Sequence, residues 1–192
     1  MATRELQSIL NSGELNSIYL GGTSAADSVV KQSSLDTKAD VPYVALQSSD
    51  ITTQEPSGLG VAKQVTFGPY ATNSVMTLGA DGTVTFSTAG HYHAEIRLQV
   101  GRTGATGTSL FLVRCLKNDV QYGGGSAFKL DDAEVLFPCV AILHVDATIG
   151  TTLKFQIMRD PAGHNSGGLY MTDPSDGWNN IPSANITLTK IG

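Results

Sequence analysis

The segment Thr83–Val100, TVTFSTAGHYHAEIRLQV, constrains the fold of this chain more than any other stretch. From Tyr92 to Val100, apolar residues stand at every second position and polar residues stand between them. A period of two predicts a β-strand with one face in a hydrophobic core and the other toward water. Gly90, just before this strand, suits a sharp corner because glycine accepts backbone angles that side chains forbid. A long, half-buried strand is therefore expected at the centre of the fold.

From residue 61 onward, short apolar runs alternate with turn signals such as Asp81-Gly82, which favours an antiparallel sandwich or jelly roll. Two later runs, Ser109–Asn118 and Glu134–Val145, are apolar at consecutive positions, and this predicts strands buried on both faces. The outer face of such a strand needs a cover, and the simplest cover is another subunit. The residues predicted for that subunit interface are Leu110, Leu112, Leu116, Leu136, Val140 and Ile142.

Residues 1–60 differ in amino-acid composition from residues 61–192, and we interpret the two segments as an arm and a head. The first segment is rich in Ser, Thr, Gly and Asp, and its apolar residues come in scattered pairs. Burial of so few apolar side chains cannot offset the entropy of ordering the segment. It is predicted to be an extended attachment arm that orders on a partner, and a disordered leader is the alternative. The predicted docking residues are Leu6, Ile9, Leu10, Ile18, Leu20, Val29 and Val30.

The charge and hydropathy of the chain argue against two classes of partner. The net charge is −5, so the chain lacks the basic footprint of a nucleic-acid-binding protein. No apolar run approaches the roughly 20 residues of a membrane helix, and no membrane insertion is expected. The beginning, MATRELQSIL, lacks the apolar core of a cleaved signal peptide.

The block Phe86–Val100, FSTAGHYHAEIRLQV, resembles the signature of the globular head in the complement/tumour-necrosis-factor superfamily. In that family an aromatic residue precedes a small-Gly-x-Tyr corner and a long strand. Later landmarks at Leu112–Asp119, Val140–Leu153 and Ala184–Ile191 are similar to the family's subsequent strands. The resemblance covers residues 62–192. It implies an all-β jelly-roll sandwich of about ten antiparallel strands, assembled as a tight homotrimer.

The segment Leu35–Asp40, LDTKAD, resembles segments of phage tail-fibre and virion appendage proteins. Together with the jelly-roll head and the lack of a signal peptide, this resemblance implies a structural protein located in the virion. The expected function is a trimeric capsid decoration or short head-fibre protein. Its arm would bind the major capsid protein or another virion protein. No enzyme activity and no cofactor are expected.

The loop from Asp173 to Asn180 supports a different function, a receptor-binding tip of a tail fibre. The loop holds the only tryptophan of the chain. An aromatic side chain flanked by carboxylates and amides suits contact with a host-surface glycan or receptor. A polar turn with one anchoring aromatic residue is the simpler interpretation. The candidate contact residues are Asp173, Asp176, Trp178 and Asn179.

The pair His91 and His93 raises a third alternative, a metal-dependent jelly-roll enzyme similar to the cupins. A cupin would carry an acidic ligand where this chain has Leu98, and the spacing of its second motif would place the His later than His164. Both departures remove ligands that the chemistry requires, so no metal site is predicted.

Cys115 and Cys139 lie inside apolar, strand-like runs. Two reduced, buried thiols would fit this setting, because cysteine is among the most frequently buried residues. A disulfide between neighbouring strands is the other alternative, and its geometry cannot be read from sequence.

Overall fold

The computed structural model describes residues 44–103, 107–133 and 135–192, and these ranges contain strands but no helix. The predicted all-β head of antiparallel strands is confirmed. Several of the thirteen strands are only two residues long, so their number exceeds the ten or so expected from the sequence. The strands are β1 Val44–Asp50, β2 Lys63–Gln64, β3 Ala71–Thr72, β4 Met76–Leu78, β5 Val84–Phe86, β6 Gly90–Gly101, β7 Ser109–Lys117, β8 Val120–Gln121, β9 Ser126–Leu130, β10 Leu136–Ala147, β11 Thr152–Arg159, β12 Gly168–Leu169 and β13 Ala184–Lys190.

The strands form two antiparallel sheets. Sheet one has the order β1-β13-β6-β10, and β12 also pairs with one end of β6. Sheet two has the order β3-β4-β5-β11-β7-β8, with β2 also pairing β11 and β9 also pairing β7. Neighbouring strands in both sheets are often far apart in the sequence, so most of the pairing is non-local.

Strand β6 is the long, half-buried strand that the sequence predicted. It pairs with β10 along its whole length and with β13 on its other side. Its core-facing positions Tyr92, Ala94, Ile96, Leu98 and Val100 are all buried. Before the strand, Gly90 has a φ of +150°, and a Cβ there would lie 2.2 Å from the Gly192 carbonyl oxygen. The alternation and the glycine corner are both confirmed.

One hydrophobic core joins the two sheets. Phe86 of sheet two contacts Tyr92 of sheet one, with ring centroids 4.3 Å apart. Phe67 and Phe155 meet edge to face at 5.8 Å. Each of these aromatic side chains is fully buried or nearly so, and burying one contributes about 1.5–3 kcal/mol. Because the core uses the inner faces, only the outer faces and the strand edges remain for contacts with other molecules.

The structure differs from the predicted boundary at residue 61. Strand β1 pairs with β13 over all seven of its residues, and Leu46 is buried in the core. Residues 44–60 therefore belong to the β unit. The sequence did not indicate this strand, because an edge strand with a single deeply buried apolar residue has the composition of a polar linker. The remaining arm residues, including the predicted docking positions between Leu6 and Val30, lie outside the described residues.

Hydrogen bonds of Gln54 hold the segment after β1 against Leu169 of β12 and against Thr66, which follows β2. Its backbone exchanges two hydrogen bonds with Leu169 of β12, both 2.9 Å long. Its side-chain amide donates to the Thr66 carbonyl oxygen at 2.9 Å and accepts from the Thr66 N–H at 2.8 Å. The Gln54 side chain is buried, and its amide satisfies both backbone groups of the half-buried Thr66.

Replacing Gln54 with leucine is expected to lower the free energy of unfolding by about 2–4 kcal/mol, because both Thr66 groups lose their partner. Urea unfolding followed by circular dichroism measures the change. The matched control is Gln47→Leu on the exposed face of β1, which should alter the free energy by no more than about 0.5 kcal/mol. Equal losses in the two variants would contradict the role assigned to Gln54.

Cys115 and Cys139 are free and buried. Burial raises the pKa of the Cys115 thiol to about 12 and also raises the pKa of the Cys139 thiol. The structure therefore supports the reduced alternative. Because the thiolate is the reactive form, neither side chain is placed for nucleophilic chemistry.

Candidate interaction surface

The outer face of sheet one carries most of the polar residues that alternate with the core positions of β6. His93, Glu95 and Arg97 lie on this face because their neighbours point into the core. The β10 residues opposite these three in the pairing register are His144, Ile142 and Val140. Because opposite residues of an antiparallel pair share a face, the apolar Val140 and Ile142 of β10 lie beside the charged Arg97 and Glu95 of β6, and the two histidines lie beside each other.

Strand β10 forms an apolar, unpaired edge of sheet one. Among the described strands it pairs with β6 alone. On its other edge the Tyr122 hydroxyl donates to the His144 carbonyl oxygen and Lys117 Nζ donates to the Asp146 carbonyl oxygen, so the open part of the edge is the half that begins at Leu136. The side chains of Leu136, Val140 and Ile142 are 38%, 55% and 59% exposed. Soluble proteins normally blunt such an edge with charges, prolines or bulges, and β10 carries only Pro138 in its apolar half. We therefore expect another protein chain to associate at this edge.

The six residues predicted for the trimer interface fall on different faces of the sandwich. Leu136, Val140 and Ile142 lie together on the outer face of β10. Leu110 and Leu112 are half-buried on the outer face of β7, which belongs to sheet two. Leu116, also in β7, is buried within the single chain. The structure thus brings three of the six into one surface and places the other three elsewhere. Apolar runs predict strands buried on both faces but do not say which sheet each strand joins, and in this chain the outer face of β10 is exposed.

A groove with a volume of 620 Å³ lies beside β10 on the same face of sheet one. Leu136 and Pro138 line one side, and Asn185 and Thr187 of β13 line another. Glu95 and Arg97 pair across its floor, with Arg97 Nη2 2.6 Å from Glu95 Oε1. The groove therefore combines an apolar rim with a pair of opposite charges that compensate each other.

His91 and His93 lie on the outer face of sheet one, at the end where β6 begins. The ring centroids of His93 and His144 are 5.3 Å apart, and His91 Nδ1 lies 2.5 Å from Asp146 Oδ1. His144 and Asp146 were not singled out from the sequence, because only the strand register brings them beside these two histidines. Within the described ranges, no group of three or more His, Cys, Asp or Glu side chains could hold a metal ion.

The four candidate receptor contacts fall within one loop. Two backbone hydrogen bonds between Thr172 and Ile181, of 3.0 and 2.8 Å, close this loop. Trp178 is 78% exposed, and Asp173, Asp176 and Asn179 are exposed with it. Since Ile181 also lines the 620 Å³ groove, the base of the loop borders that groove.

In the part of the chain that the structure describes, no helix has the length and apolar character needed to cross a membrane.

Comparison with known proteins finds matches among solved structures. The chain matches no protein-family model and no curated protein. Among solved structures it is similar to the Eiger TNF of S. frugiperda, with 14% identical residues and a TM-score of 0.42. The match covers 79% of this chain and 94% of that one. A superposition this loose carries no argument about activity or assembly.

Proposed function

We propose that the chain is a non-enzymatic structural protein of a virion, a homotrimeric capsid decoration or short head-fibre protein. In this proposal the β unit is a TNF-like jelly-roll head, and the attachment arm is residues 1–43. The observation that supports it best is the apolar, unpaired edge of β10. An exposed edge of this length leads to aggregation unless something covers it, and a second copy of the same chain is always available.

An apolar ridge and a groove lie side by side on the outer face of sheet one, and the proposed trimer pairs the ridge of one subunit with the groove of the next. A cyclic trimer uses a heterologous contact, in which one patch of each subunit meets a different patch of the next. Val140 and Ile142 form an apolar ridge, and the 620 Å³ groove provides a concave partner. The Glu95–Arg97 pair gives the groove no net charge, so an apolar ridge can enter without leaving a single charge buried.

The virion assignment is supported by the sequence of the arm. The Leu35–Asp40 segment resembles phage appendage proteins, and the scattered apolar pairs before it suit a segment that docks along a larger assembly. A trimer would present three such arms to one particle. Their combined avidity would exceed the affinity of each arm by about 10²–10⁴ without any added contact.

A receptor-binding tip of a tail fibre is the second candidate, and the exposure of Trp178 favours it. A large aromatic side chain that is 78% exposed among carboxylates and amides resembles the anchor of a glycan or receptor contact. Under this alternative the loop closed by Thr172 and Ile181 would face the host.

Antibody labelling of intact particles tests the proposal and separates the two candidates. A decoration or head-fibre protein is expected on the capsid surface, and a receptor-binding tip is expected at the end of the tail. Sedimentation of the purified chain should give a mass close to three times 20.1 kDa. A stable monomer at micromolar concentration, or particles that carry no label, would overturn the proposal.

A further inference from the structure

A second groove, with a volume of 370 Å³, lies on the outer face of sheet two. Its apolar floor follows from the strand register. Leu112 of β7 stands opposite Met158 of β11 on one side and opposite Ala127 of β9 on the other. All three side chains line the groove. Three apolar side chains from adjacent strands thus form one continuous patch.

The groove is open at one end because two short strands share the same edge of β7. Strand β9 pairs with β7 as far as Val113, and β8 pairs with it only from Leu116. Arg114 lies in the gap between them and lines the groove. The connection that crosses the gap includes Gly123 and Gly124, where an added Cβ would meet nothing within 4 Å. The gap is therefore bordered by backbone without side chains, which leaves room for a ligand.

The charge of Arg114 is not compensated by a carboxylate within the described residues. Its Nε and Nη2 atoms donate to the neutral Gln156 Oε1 at 3.0 and 2.7 Å. The other cation on the same face of the neighbouring strand, Lys154, pairs instead with Asp119 at 2.7 Å. A guanidinium offers five N–H donors in a planar fork that matches a carboxylate or sulfonate. Gln156 uses part of this fork and fixes its orientation beside the apolar floor.

We propose that this groove binds a small amphipathic organic anion. The apolar body lies over Leu112, Ala127 and Met158, and the carboxylate or sulfonate group contacts the Arg114 guanidinium. The volume of 370 Å³ falls within the range of about 300–1,000 Å³ that is usual for small-molecule sites. The site is on sheet two, whereas the proposed self-association uses sheet one. The two proposals therefore do not compete for one surface, and this one does not depend on the proposed function.

The fluorescent anion anilinonaphthalene sulfonate and its uncharged analogue N-phenylnaphthylamine test the proposal on the full chain. The two compounds share one apolar body and differ by the sulfonate. Arg114→Gln is expected to weaken binding of the sulfonate about tenfold, since a charge-assisted hydrogen bond is lost. The same variant should change the affinity for the uncharged analogue less than about twofold.

Two further variants locate the site. Lys129→Gln removes one positive charge from the same face of sheet two but from outside the groove lining, and it should leave both affinities unchanged. Ala127→Phe fills the apolar floor from an exposed position and should weaken both compounds at least fivefold. If the compounds bind at the β10 edge instead, neither Arg114→Gln nor Ala127→Phe should change their affinities. An Arg114→Gln affinity equal to wild type, or an equal loss in Lys129→Gln, would overturn the proposal.

Discussion

A chain that begins at residue 61 is expected to lose the folded head, whereas a chain that begins at Val44 should retain it. The longer deletion removes β1, which is the only described strand that pairs with the outer edge of β13. It also removes Leu46 from the core and the Gln54 hydrogen bonds to Thr66. Loss of a buried leucine costs about 2–5 kcal/mol, and each buried group left unpaired adds about 1–3 kcal/mol. This sum is comparable with the entire stability of a typical domain, about 5–15 kcal/mol.

Thermal and urea unfolding of the two truncated chains measure this difference directly. The chain without residues 1–43 should unfold cooperatively at a midpoint close to that of the full chain. The chain without residues 1–60 should be insoluble or show no cooperative transition. If both truncated chains unfold at the same midpoint, β1 contributes nothing to the head and the corrected boundary is wrong.

The double substitution Val140→Glu and Ile142→Glu is expected to convert the proposed trimer into monomers. Each wild-type side chain is more than half exposed in the single chain, and burying one at an interface contributes about 1.5–3 kcal/mol. Each glutamate would bring an unpaired carboxylate into that interface, which adds a penalty of several kcal/mol. Association should therefore weaken at least a thousandfold, and sedimentation should give the single-chain mass of 20.1 kDa at micromolar concentration.

Val120→Glu provides the control for this variant. Val120 is an exposed apolar residue of similar size, but it lies in β8 of sheet two. The Val120→Glu substitution should leave the mass measured by sedimentation equal to that of the wild-type protein. Neither variant should lower the unfolding free energy of the monomer by more than about 1 kcal/mol, because all three positions are exposed. A double variant that keeps the wild-type mass would exclude the β10 ridge as the self-association surface.

Local features of this fold could be predicted from the sequence. The alternation in β6 specifies a half-buried strand because the side-chain period of a strand is two. The turn at Asp81-Gly82 is also local: Gly82 has a φ of +84° and donates its N–H to the Gly79 carbonyl at 2.9 Å. These positions are fixed by neighbours a few residues away, so the pattern alone was sufficient.

Features that depend on strand register could not be predicted in the same way. Nothing in the runs around Leu112 and Val140 says that one joins sheet two and the other joins sheet one. His144 faces His93 only because β10 pairs with β6 in one particular register. The uncompensated charge of Arg114 likewise depends on which side chain of β11 stands opposite it. Surfaces built from non-local pairing therefore need the structure, even where each contributing strand is evident from the sequence.

The position of β13 has a consequence for how the protein is made. This strand, the last in the described chain, lies between β1, the first, and β6. Sheet one therefore cannot close until the ribosome has released residues 184–190. Because translation proceeds at about 5–20 residues per second, β13 is synthesised on the order of ten seconds after β1. Once β6 is made, the nascent chain holds the unpaired edges of β1 and β6 until β13 emerges, so the fold exposes two strand edges during translation.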